Sequence, residues 1–340
     1  MKRIVFFMLL CLLLLSCAKM KPPGLIREEN PELPLFIPEG FPTLNPSIYK
    51  NRPTKYGVSL GKALFQETRL SGDNRISCSS CHRPSNAFAD NYKQARGIYG
   101  RVGLRNTPPI QNLAFMNLYN WDGHIQQIEK QPLVPIISQE EMDASVVEII
   151  KKLERDDAYK TLFNKAFGDD KITPDRIYRS LAQYMYTLIS FNSKYDLVQR
   201  NAGARFTDSE QRGYAIFKKK CTPCHNTALF TDQSFRNIGF PTNPNPEEVG
   251  RARVTGLDKD RMRFRVPSLR NVEYTAPYGS FGQFGTLKEV LDYLDQGVLP
   301  ADNLDILLKN QGNRIAMSEQ EKEDIINFIK TLSDPIFVDH

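Results

Sequence analysis

The sequence predicts an all-α protein built of two similar modules, with few and short strands. Helix start signals recur along the chain, and each is followed by apolar residues spaced three or four apart. No sustained alternation of apolar and polar residues marks a strand. A short pattern, G-x-A-[LI]-F, occurs twice, and each copy precedes a C-x-x-C-H motif. Together these observations favour two modules, each with one helix ahead of its motif.

Three helix starts carry explicit capping signals. Thr207 and Ser318 each have a glutamate three residues later, as in a capping box, and Thr173 precedes a proline suited to the first helical turn. The helical faces predicted from apolar spacing contain Ile177, Leu181, Met185 and Leu188 in one helix and Val146, Ile149, Ile150 and Leu153 in another.

The first residues resemble an export signal. Lys2 and Arg3 precede an apolar run too short to span a bilayer comfortably, and the run ends in Leu14-Leu-Ser-Cys17, which resembles a lipobox. Residues 1–16 are therefore predicted to be a lipoprotein signal peptide with Cys17 as the lipidated residue. An ordinary secretory signal, in which Cys17 is incidental, is the alternative. We expect a periplasmic, lipid-anchored protein, and the absence of Asp after Cys17 favours the outer over the inner membrane.

Composition divides the rest of the chain into three parts. Residues 17–45 are rich in Pro and Glu without apolar periodicity and are predicted to be a tether. Residues 46–203 are predicted to form the N-terminal module and residues 204–340 the C-terminal module. The net charge of +6 falls to +4 when Lys2 and Arg3 leave with the signal. No basic run indicates a nucleic-acid groove, so no nucleic-acid partner is expected.

Four cysteines remain once Cys11 in the signal and Cys17 are set aside from the six in the chain. They form two C-x-x-C-H motifs, the attachment signature of c-type haem, in which two thiols bind the porphyrin and the histidine binds iron. Two disulfides or one four-cysteine zinc site are the alternatives. Neither explains a histidine directly after each second cysteine in a chain with four histidines. The predicted haem-binding residues are Cys78, Cys81, His82, Cys221, Cys224 and His225.

From about residue 56 to residue 332 the chain resembles the bacterial dihaem cytochrome c peroxidases and their MauG-type relatives. The resemblance rests on the two haem motifs and on five further segments. These are Asn106-Thr-Pro-Pro-Ile110, Trp121-Asp-Gly123, Val266-Pro-Ser-Leu-Arg-Asn271, Thr275-Ala-Pro-Tyr278 and Thr286-Leu-Lys-Glu-Val290. It implies two cytochrome c-like modules, a peroxide-binding haem in the first and an electron-transferring haem in the second.

The resemblance also assigns roles to single residues. Trp121 matches the residue that bridges electron transfer between the haems, and Gln131 and Glu141 match the residues beside bound peroxide. A carboxylate there can move a proton from one peroxide oxygen to the other, which O–O cleavage requires. Adjacent Glu140 is an alternative for this role, and a solvated helix start is the alternative for both glutamates. Asn106, Thr275 and Pro277 match a calcium site between the haems, with a plain turn as its alternative.

The chain departs from the family pattern at three positions. The peroxidases have a capping His soon after the first motif, but residues 83–105 contain none. The second haem's sixth ligand, Met or Tyr, would fall at Leu294, which cannot bind iron. A five-coordinate iron, Tyr293 in a shifted register and Met262 remain the alternatives. His124 stands where the family has Arg, and it is either a distal group of the first haem or a surface histidine.

The function expected from these residues is reduction of hydrogen peroxide to water by a cytochrome c peroxidase with two covalent haem c groups and bound calcium. The expected partners are hydrogen peroxide, a small cytochrome c or cupredoxin as electron donor, the lipid anchor's membrane and a second copy in a homodimer. Two other classes stay open: a MauG-like oxidase of a partner protein, and a non-enzymatic dihaem carrier or sensor.

Overall fold

The computed structural model describes residues 29–339, and the helices dominate this part of the chain. The α-helices are α1 (Lys55–Gln66), α2 (Cys78–Cys81), α3 (Leu133–Ile137), α4 (Val146–Glu154), α5 (Asp157–Phe167), α6 (Pro174–Tyr186), α7 (Lys194–Gln199), α8 (Asp208–Lys220), α9 (Ala252–Thr255), α10 (Leu287–Gln296), α11 (Ile306–Lys309), α12 (Glu319–Lys330) and α13 (Pro335–Val338). The 3-10 helices are Pro46–Lys50, Thr68–Leu70, Pro84–Asn86, Ile98–Gly100, Leu113–Phe115, Ile128–Lys130, Asp258–Asp260 and Val272–Tyr274.

Two short strands, β1 (Phe235–Arg236) and β2 (Phe264–Arg265), pair antiparallel, with Phe235 opposite Arg265. The predicted all-α class with few, short strands is confirmed. Within residues 29–339, no helix is both long and apolar enough to cross a bilayer.

The capping signals read from the sequence begin the helices as predicted. The side chain of Thr173 accepts a hydrogen bond in the first turn of α6, and Thr207 and Ser318 complete capping boxes at α8 and α12. Helix α6 buries Ile177, Leu181 and Met185 on one face. Each cap satisfies amide groups that would otherwise lack a partner at a helix N-terminus.

Each half of the chain contains one close helix crossing made possible by a glycine. In the first half α1 packs on α6, and a Cβ atom at Gly61 would overlap the carbonyl oxygen of Ser180. In the second half α8 packs on α12, and a Cβ at Gly213 would overlap the carbonyl oxygen of Asp324. The repeated glycine of the G-x-A-[LI]-F pattern therefore lets two helix backbones touch.

The apolar core is divided in the same way. One cluster runs from Ile48 to Leu188 and also takes in Leu229 and Phe337 from later in the chain. A second cluster lies among residues 217–332 and is rich in aromatic rings. The module limits proposed from the sequence, 46–203 and 204–340, stay a prediction, because packing crosses between the halves.

The described part of the predicted tether lies along the fold. The Leu33 amide donates to the Pro53 carbonyl, and the Asn45 amide donates to the Ala114 carbonyl, both at 2.8 Å. The Phe41 ring lies beneath the Arg270 guanidinium, 4.8 Å from its centroid. Pro-rich composition is typical of a free tether, but backbone hydrogen bonds fix the described part, residues 29–45, to the first half, and the Phe41 ring contacts Arg270 of the second half. Cys11, Cys17 and the rest of residues 1–28 lie outside the described part.

Candidate functional site

The first C-x-x-C-H motif forms a single helical turn, α2, that ends at His82. The Nδ1 atom of His82 lies 2.8 Å from the carbonyl oxygen of Phe88, so the ring donates a hydrogen bond there. Nε2 is then the nitrogen that can bind iron. Burial lowers the pKa of His82, and the hydrogen bond to the Phe88 carbonyl acts in the opposite direction. A neutral imidazole with one oriented nitrogen is what an iron ligand requires.

The second motif repeats this arrangement. His225 Nδ1 lies 3.0 Å from the carbonyl oxygen of Phe230, and burial again lowers the pKa of the ring. Both phenylalanines adopt left-handed backbone conformations, with φ of 59° at Phe88 and 53° at Phe230. A bulky residue adopts this conformation at a cost in energy, and here the conformation aims each carbonyl at a histidine. Sequence reasoning missed both residues, although a Phe follows each motif histidine by six or five positions.

The four motif cysteines, Cys78, Cys81, Cys221 and Cys224, are not joined in disulfides. Burial raises the pKa of Cys78 and of Cys221 to about 12, and of Cys81 to about 11. These buried surroundings differ from those of the low-pKa cysteines of redox C-x-x-C motifs. Within residues 29–339, no cluster of three or more His, Cys, Asp or Glu side chains is placed to hold a metal ion. The two motifs thus do not combine into one zinc site.

A cavity opens beside the first motif. Cys78, Cys81 and His82 stand in its wall together with Gln131 and Glu141. The remaining wall is largely apolar and includes Phe65, Ile76, Ile110, Pro132, Pro135, Met142, Leu181 and Met185. An apolar slot with two thiols, an oriented imidazole and two polar groups fits a covalently attached haem c. The sequence-predicted residues of the first haem and of the peroxide site meet in this cavity.

Glu141 is the glutamate that faces the cavity. Burial, followed by repulsion from Glu140, raises the pKa of Glu141 to about 6. The Glu140 side chain is instead exposed and accepts a hydrogen bond from the Ser138 hydroxyl at 3.1 Å. The backbone at Glu141 is fixed, because its carbonyl accepts the Ile98 amide at 2.8 Å and a Cβ at Gly97 would overlap it or its neighbour. A carboxyl group poised near neutrality suits proton transfer.

Trp121 lies at the junction of the two halves. Its Nε1 donates to the Asn106 carbonyl at 2.8 Å, and its own carbonyl accepts the Arg265 amide at 2.8 Å. The indole packs edge-on against Phe264 at 6.4 Å between centroids. Strand β2 and the loop after the first motif therefore both hold Trp121, which fixes the ring's orientation.

A buried charge network adjoins Trp121. Arg105 pairs at 2.7 Å with Asp122 and at 2.7 Å with Glu248, and the two carboxylate side chains are almost fully buried. Asp122 also accepts from His124 Nδ1 at 2.7 Å. Burial would raise the pKa of Asp122, but the hydrogen bonds from His124 and Arg105 outweigh it and hold that pKa well below its usual range. His124 is thus tied to Asp122 near the surface, and it is not part of the cavity wall. Sequence reasoning missed Arg105 and Glu248.

The residues matched to calcium come from two adjoining segments. The Asn106 amide donates to the Ser280 carbonyl at 2.8 Å, which brings Asn106 beside the segment containing Thr275 and Pro277. The Thr275 hydroxyl donates to the Val272 carbonyl at 3.2 Å, and Pro277 follows a cis peptide bond. Carbonyl oxygens of this kind suit calcium, but calcium binding stays a prediction.

The residues considered as sixth ligands of the second haem's iron have different surroundings. Leu294 packs among the apolar residues that also contact Cys221. Tyr293, one residue earlier, donates its hydroxyl to the Gly239 carbonyl at 2.8 Å and packs on Phe240 and Phe284. The Met262 amide donates to the Val249 carbonyl at 3.0 Å. The Tyr293 hydroxyl is therefore already bound to backbone, and a leucine stands where the family has its ligand.

Known proteins match this chain over most of its length. The family model described as di-haem cytochrome c peroxidase matches residues 55–204. The chain is 35% identical over 301 residues to the methylamine utilization protein MauG of Methylorubrum extorquens, covering 87% of this chain and 82% of that protein. It is 34% identical over 280 residues to the cytochrome c551 peroxidase of Nitrosomonas europaea, covering 81% of this chain and 79% of that protein.

Solved structures agree with these sequence matches. A MauG-like protein associated with microbial copper homeostasis superposes with a TM-score of 0.78 at 30% identity, covering 92% of this chain and 97% of that one. The diheme peroxidase BthA from Burkholderia thailandensis, at 22% identity and a TM-score of 0.73 over 85% of this chain and 88% of that one, shows the shared fold alone. Taken with the two haem motifs, these likenesses establish that the chain belongs to the di-haem cytochrome c peroxidase and MauG family, whose members carry two haem groups.

Proposed function

We propose that this protein is a cytochrome c peroxidase that reduces hydrogen peroxide to water with electrons from a small periplasmic cytochrome c or cupredoxin. The observation that carries the proposal is the meeting of Glu141 and Gln131 with Cys78, Cys81 and His82 in one cavity. An electron carrier needs no proton-transfer group beside its haem, whereas peroxide reduction does. The proposal includes export, lipidation at Cys17 and attachment to the outer membrane.

The side chains of the cavity divide the work. When haem is bound, its iron exchanges the electrons that peroxide reduction consumes. The Glu141 carboxylate accepts a proton from one peroxide oxygen and returns it to the other, so that water leaves without strong acid in the medium. The Gln131 amide offers a donor and an acceptor that hold the peroxide in place. The apolar wall excludes bulk water and keeps the site small.

Trp121 is proposed to bridge electron transfer between the two halves. The ring is fixed by the hydrogen bond to Asn106 and by contact with Phe264, as a bridge of constant geometry requires. Calcium at Asn106, Thr275 and Pro277 would stabilise the same junction, because Asn106 supplies the carbonyl that orients the indole.

A MauG-like oxidase that acts on a partner protein is the second candidate. It is favoured by the absence of histidine from residues 83–105, which leaves the first haem without the peroxidases' capping ligand. Relatives named MauG at 35% and 30% identity support it as well. Leu294 counts against it, because a MauG-like oxidase would be expected to have a tyrosine ligand to the second haem at this position.

The test is turnover of the matured protein, containing two haems per chain by a haemochrome assay, with hydrogen peroxide and reduced tetramethylphenylenediamine, a one-electron donor. Peroxidase activity predicts sustained oxidation of two donor molecules per peroxide. Oxidised side chains on a partner protein, found by mass spectrometry without sustained donor oxidation, would support the MauG-like candidate. If peroxide is not consumed at all, both candidates fail and a dihaem carrier or sensor remains.

A further inference from the structure

We infer that an apolar patch centred on Phe36 lies against the lipid surface of the membrane that anchors the chain. The inference rests on the lipidation at Cys17 proposed above, and it adds the face of the protein that meets the bilayer. The patch is named here the apolar edge, and its side chains are Leu33, Phe36, Ile37 and Phe191.

The side chains of the apolar edge are open to solvent and lie together. Phe36 is 60% exposed, Ile37 48% and Leu33 42%. The Phe36 ring packs on the Phe191 ring, with 4.9 Å between their centroids. Single exposed apolar residues are ordinary on a globular protein, whereas a group of them marks a contact with another molecule or with a membrane.

The backbone holds the apolar edge in place. Leu35 packs against the first core cluster, and Pro38 is buried. The Leu33 amide also donates to the Pro53 carbonyl at 2.8 Å. The two residues between Leu35 and Pro38 therefore project from a segment that is fixed on both sides. A preformed surface loses little entropy when it binds.

The position of the apolar edge in the chain identifies its partner. Cys17, the proposed lipid attachment site, precedes Glu29, the first described residue, by twelve positions. A chain of that length reaches at most about 40 Å, and a domain the size of the described part is about 50 Å across. The anchor therefore keeps the side of the protein near Glu29 close to the bilayer. Because tethering makes the contact intramolecular, even a weak contact is populated.

The charges around the apolar edge balance. Residues 29–50 carry three exposed glutamates and one exposed lysine. Glu32 pairs with Arg52 at 3.1 Å, and the guanidinium carbon of Arg200 lies 5.8 Å from the centroid of the Phe191 ring. A surface without surplus positive charge is not drawn to anionic headgroups. Its contact with a bilayer depends instead on the burial of apolar side chains.

A tyrosine borders the apolar edge on the side of this ion pair. The Tyr49 ring is exposed, and the guanidinium carbon of Arg52, which binds Glu32 beside Leu33, lies 5.6 Å from its centroid. Tyrosine is enriched where membranes meet water, because its ring is apolar and its hydroxyl is polar. Contact through this edge gives the anchored protein one orientation, whereas the acyl chains at Cys17 supply the attachment.

The experiment measures vesicle binding by the haem-containing mature chain from residue 18 onward, exported behind an ordinary cleavable signal and therefore not lipidated. We expect it to co-sediment with vesicles of phosphatidylethanolamine and phosphatidylglycerol. Most of this binding should persist at about 0.5 M salt, which screens charges but not apolar contacts.

Removal of the exposed apolar groups should weaken this binding. Phe36→Ser with Ile37→Ser should lower the partition coefficient about tenfold or more, because both side chains lose their apolar transfer free energy. The matched control is Leu299→Ser with Ile306→Ser, two similarly exposed residues of the second half, and it should leave the partition coefficient unchanged.

A gain of binding is tested with a third variant. Ile37→Trp should raise the partition coefficient, because tryptophan is favoured at the membrane interface. No vesicle binding, loss of binding at the higher salt, an equal loss in the control pair or no gain with Ile37→Trp would overturn the inference. A dimer that Phe36→Ser with Ile37→Ser abolishes would overturn it too, since a second copy would then cover the apolar edge.

The anchor and the peroxidase function are measured independently. Incorporation of radiolabelled palmitate, abolished by Cys17→Ser, tests the lipidation, and absence of label would refute the anchor alone. A labelled protein whose non-lipidated form ignores vesicles would keep the anchor and refute the apolar edge. Turnover with peroxide and tetramethylphenylenediamine should be unchanged in every variant of the edge, because none of these side chains lines the first haem cavity.

Discussion

The two haem motifs share one arrangement on the histidine side and differ on the opposite side. In each half a histidine donates to the carbonyl of a left-handed phenylalanine, Phe88 or Phe230. In each half a glycine lets the helix before the motif touch a second helix. On the opposite side, the first half has a cavity with Glu141 and Gln131, whereas the second has Leu294 among apolar residues.

This difference shows which part of each half determines its chemistry. The shared side carries the residues predicted to hold the haem and its iron, so it is under the same constraint in both halves. The opposite side decides whether a small polar substrate can be bound and protonated. Within one chain, the same motif arrangement thus adjoins a cavity with two polar groups in one half and an apolar cluster around Leu294 in the other.

The largest expected effect comes from removing the carboxylate that distinguishes the first half. Glu141→Gln keeps the size of the side chain but cannot accept a proton, and general acid–base groups contribute about 10²–10⁴ in rate. We expect peroxide turnover to fall by that factor while the haem absorption spectrum stays the same. Glu140→Gln is the control and should change turnover little. An undiminished rate in Glu141→Gln would remove the main functional contrast between the halves.

Replacing the glycine at either helix crossing should lower stability to a similar extent, because both halves have the same kind of crossing. Gly61→Ala and Gly213→Ala each force a methyl group into a carbonyl oxygen, and overpacking costs about 1–3 kcal/mol. We expect a lower midpoint of thermal or denaturant unfolding for both. Gly285→Ala is the control, since a Cβ there would meet its nearest neighbour at 3.5 Å. A loss in one crossing alone would show that the two halves are not packed equivalently.

The pH dependence should belong to the first half alone. Burial and Glu140 raise the pKa of Glu141 to about 6, and the group must be ionised to accept a proton from peroxide. Peroxide turnover should therefore rise through pH 6 and level off above it, with about a tenfold loss one pH unit below the pKa. The rate profile of the Glu141→Gln variant should lack this rise. A profile that is the same in both proteins would assign the titration to another group.

A substitution in α10 would make the second half more like its relatives. Leu294→Met supplies a thioether where the family has its sixth ligand, and Met ligation raises a haem's reduction potential. We expect one of the two haems to become low-spin in the electron paramagnetic resonance spectrum. Leu291→Met, one helical turn earlier in the same helix, is the matched control. An unchanged spectrum would mean that residue 294 does not face the second iron.

The smallest effect is expected at His124. The residue is bound to Asp122 outside the cavity wall, so His124→Asn should leave peroxide turnover within about twofold. The measurement is the steady-state rate across pH 5–8, the range in which histidine usually titrates. A large loss would mean that the charge network around Arg105 controls the chemistry, and the contrast between the halves would then extend to their junction.

The fold was predictable because local patterns encode it, and the attachment residues, which stay a prediction, rest on a local pattern as well. The caps at Thr173, Thr207 and Ser318 satisfy backbone amides within the same turn, so no distant contact is needed to find them. The C-x-x-C-H spacing is likewise set by the porphyrin itself. The glycine of the repeat was visible as a pattern, although its reason, a helix crossing, required the structure.

Other parts depend on distant contacts and were not predictable. Arg105 and Glu248 are separated by 143 positions, and neither has a local signal that identifies its partner. The choice of Glu141 over Glu140 depends on how Gly97 and Ile98 pack against their backbone. Residues 29–45 lack apolar periodicity, yet backbone hydrogen bonds fix them to the fold. Composition alone therefore predicted a tether where the structure has a bound segment.

Phe88, whose carbonyl orients the first histidine, packs against Phe337 near the end of the chain, with 5.3 Å between ring centroids. The first haem pocket therefore receives one of its supports from a residue that follows both haem motifs in the chain. Both haem motifs will have left the ribosome before that support exists. Haem attachment to the first motif can thus precede completion of the pocket. A chain lacking α13 would hold both haems, but its His82 ring would be poorly fixed.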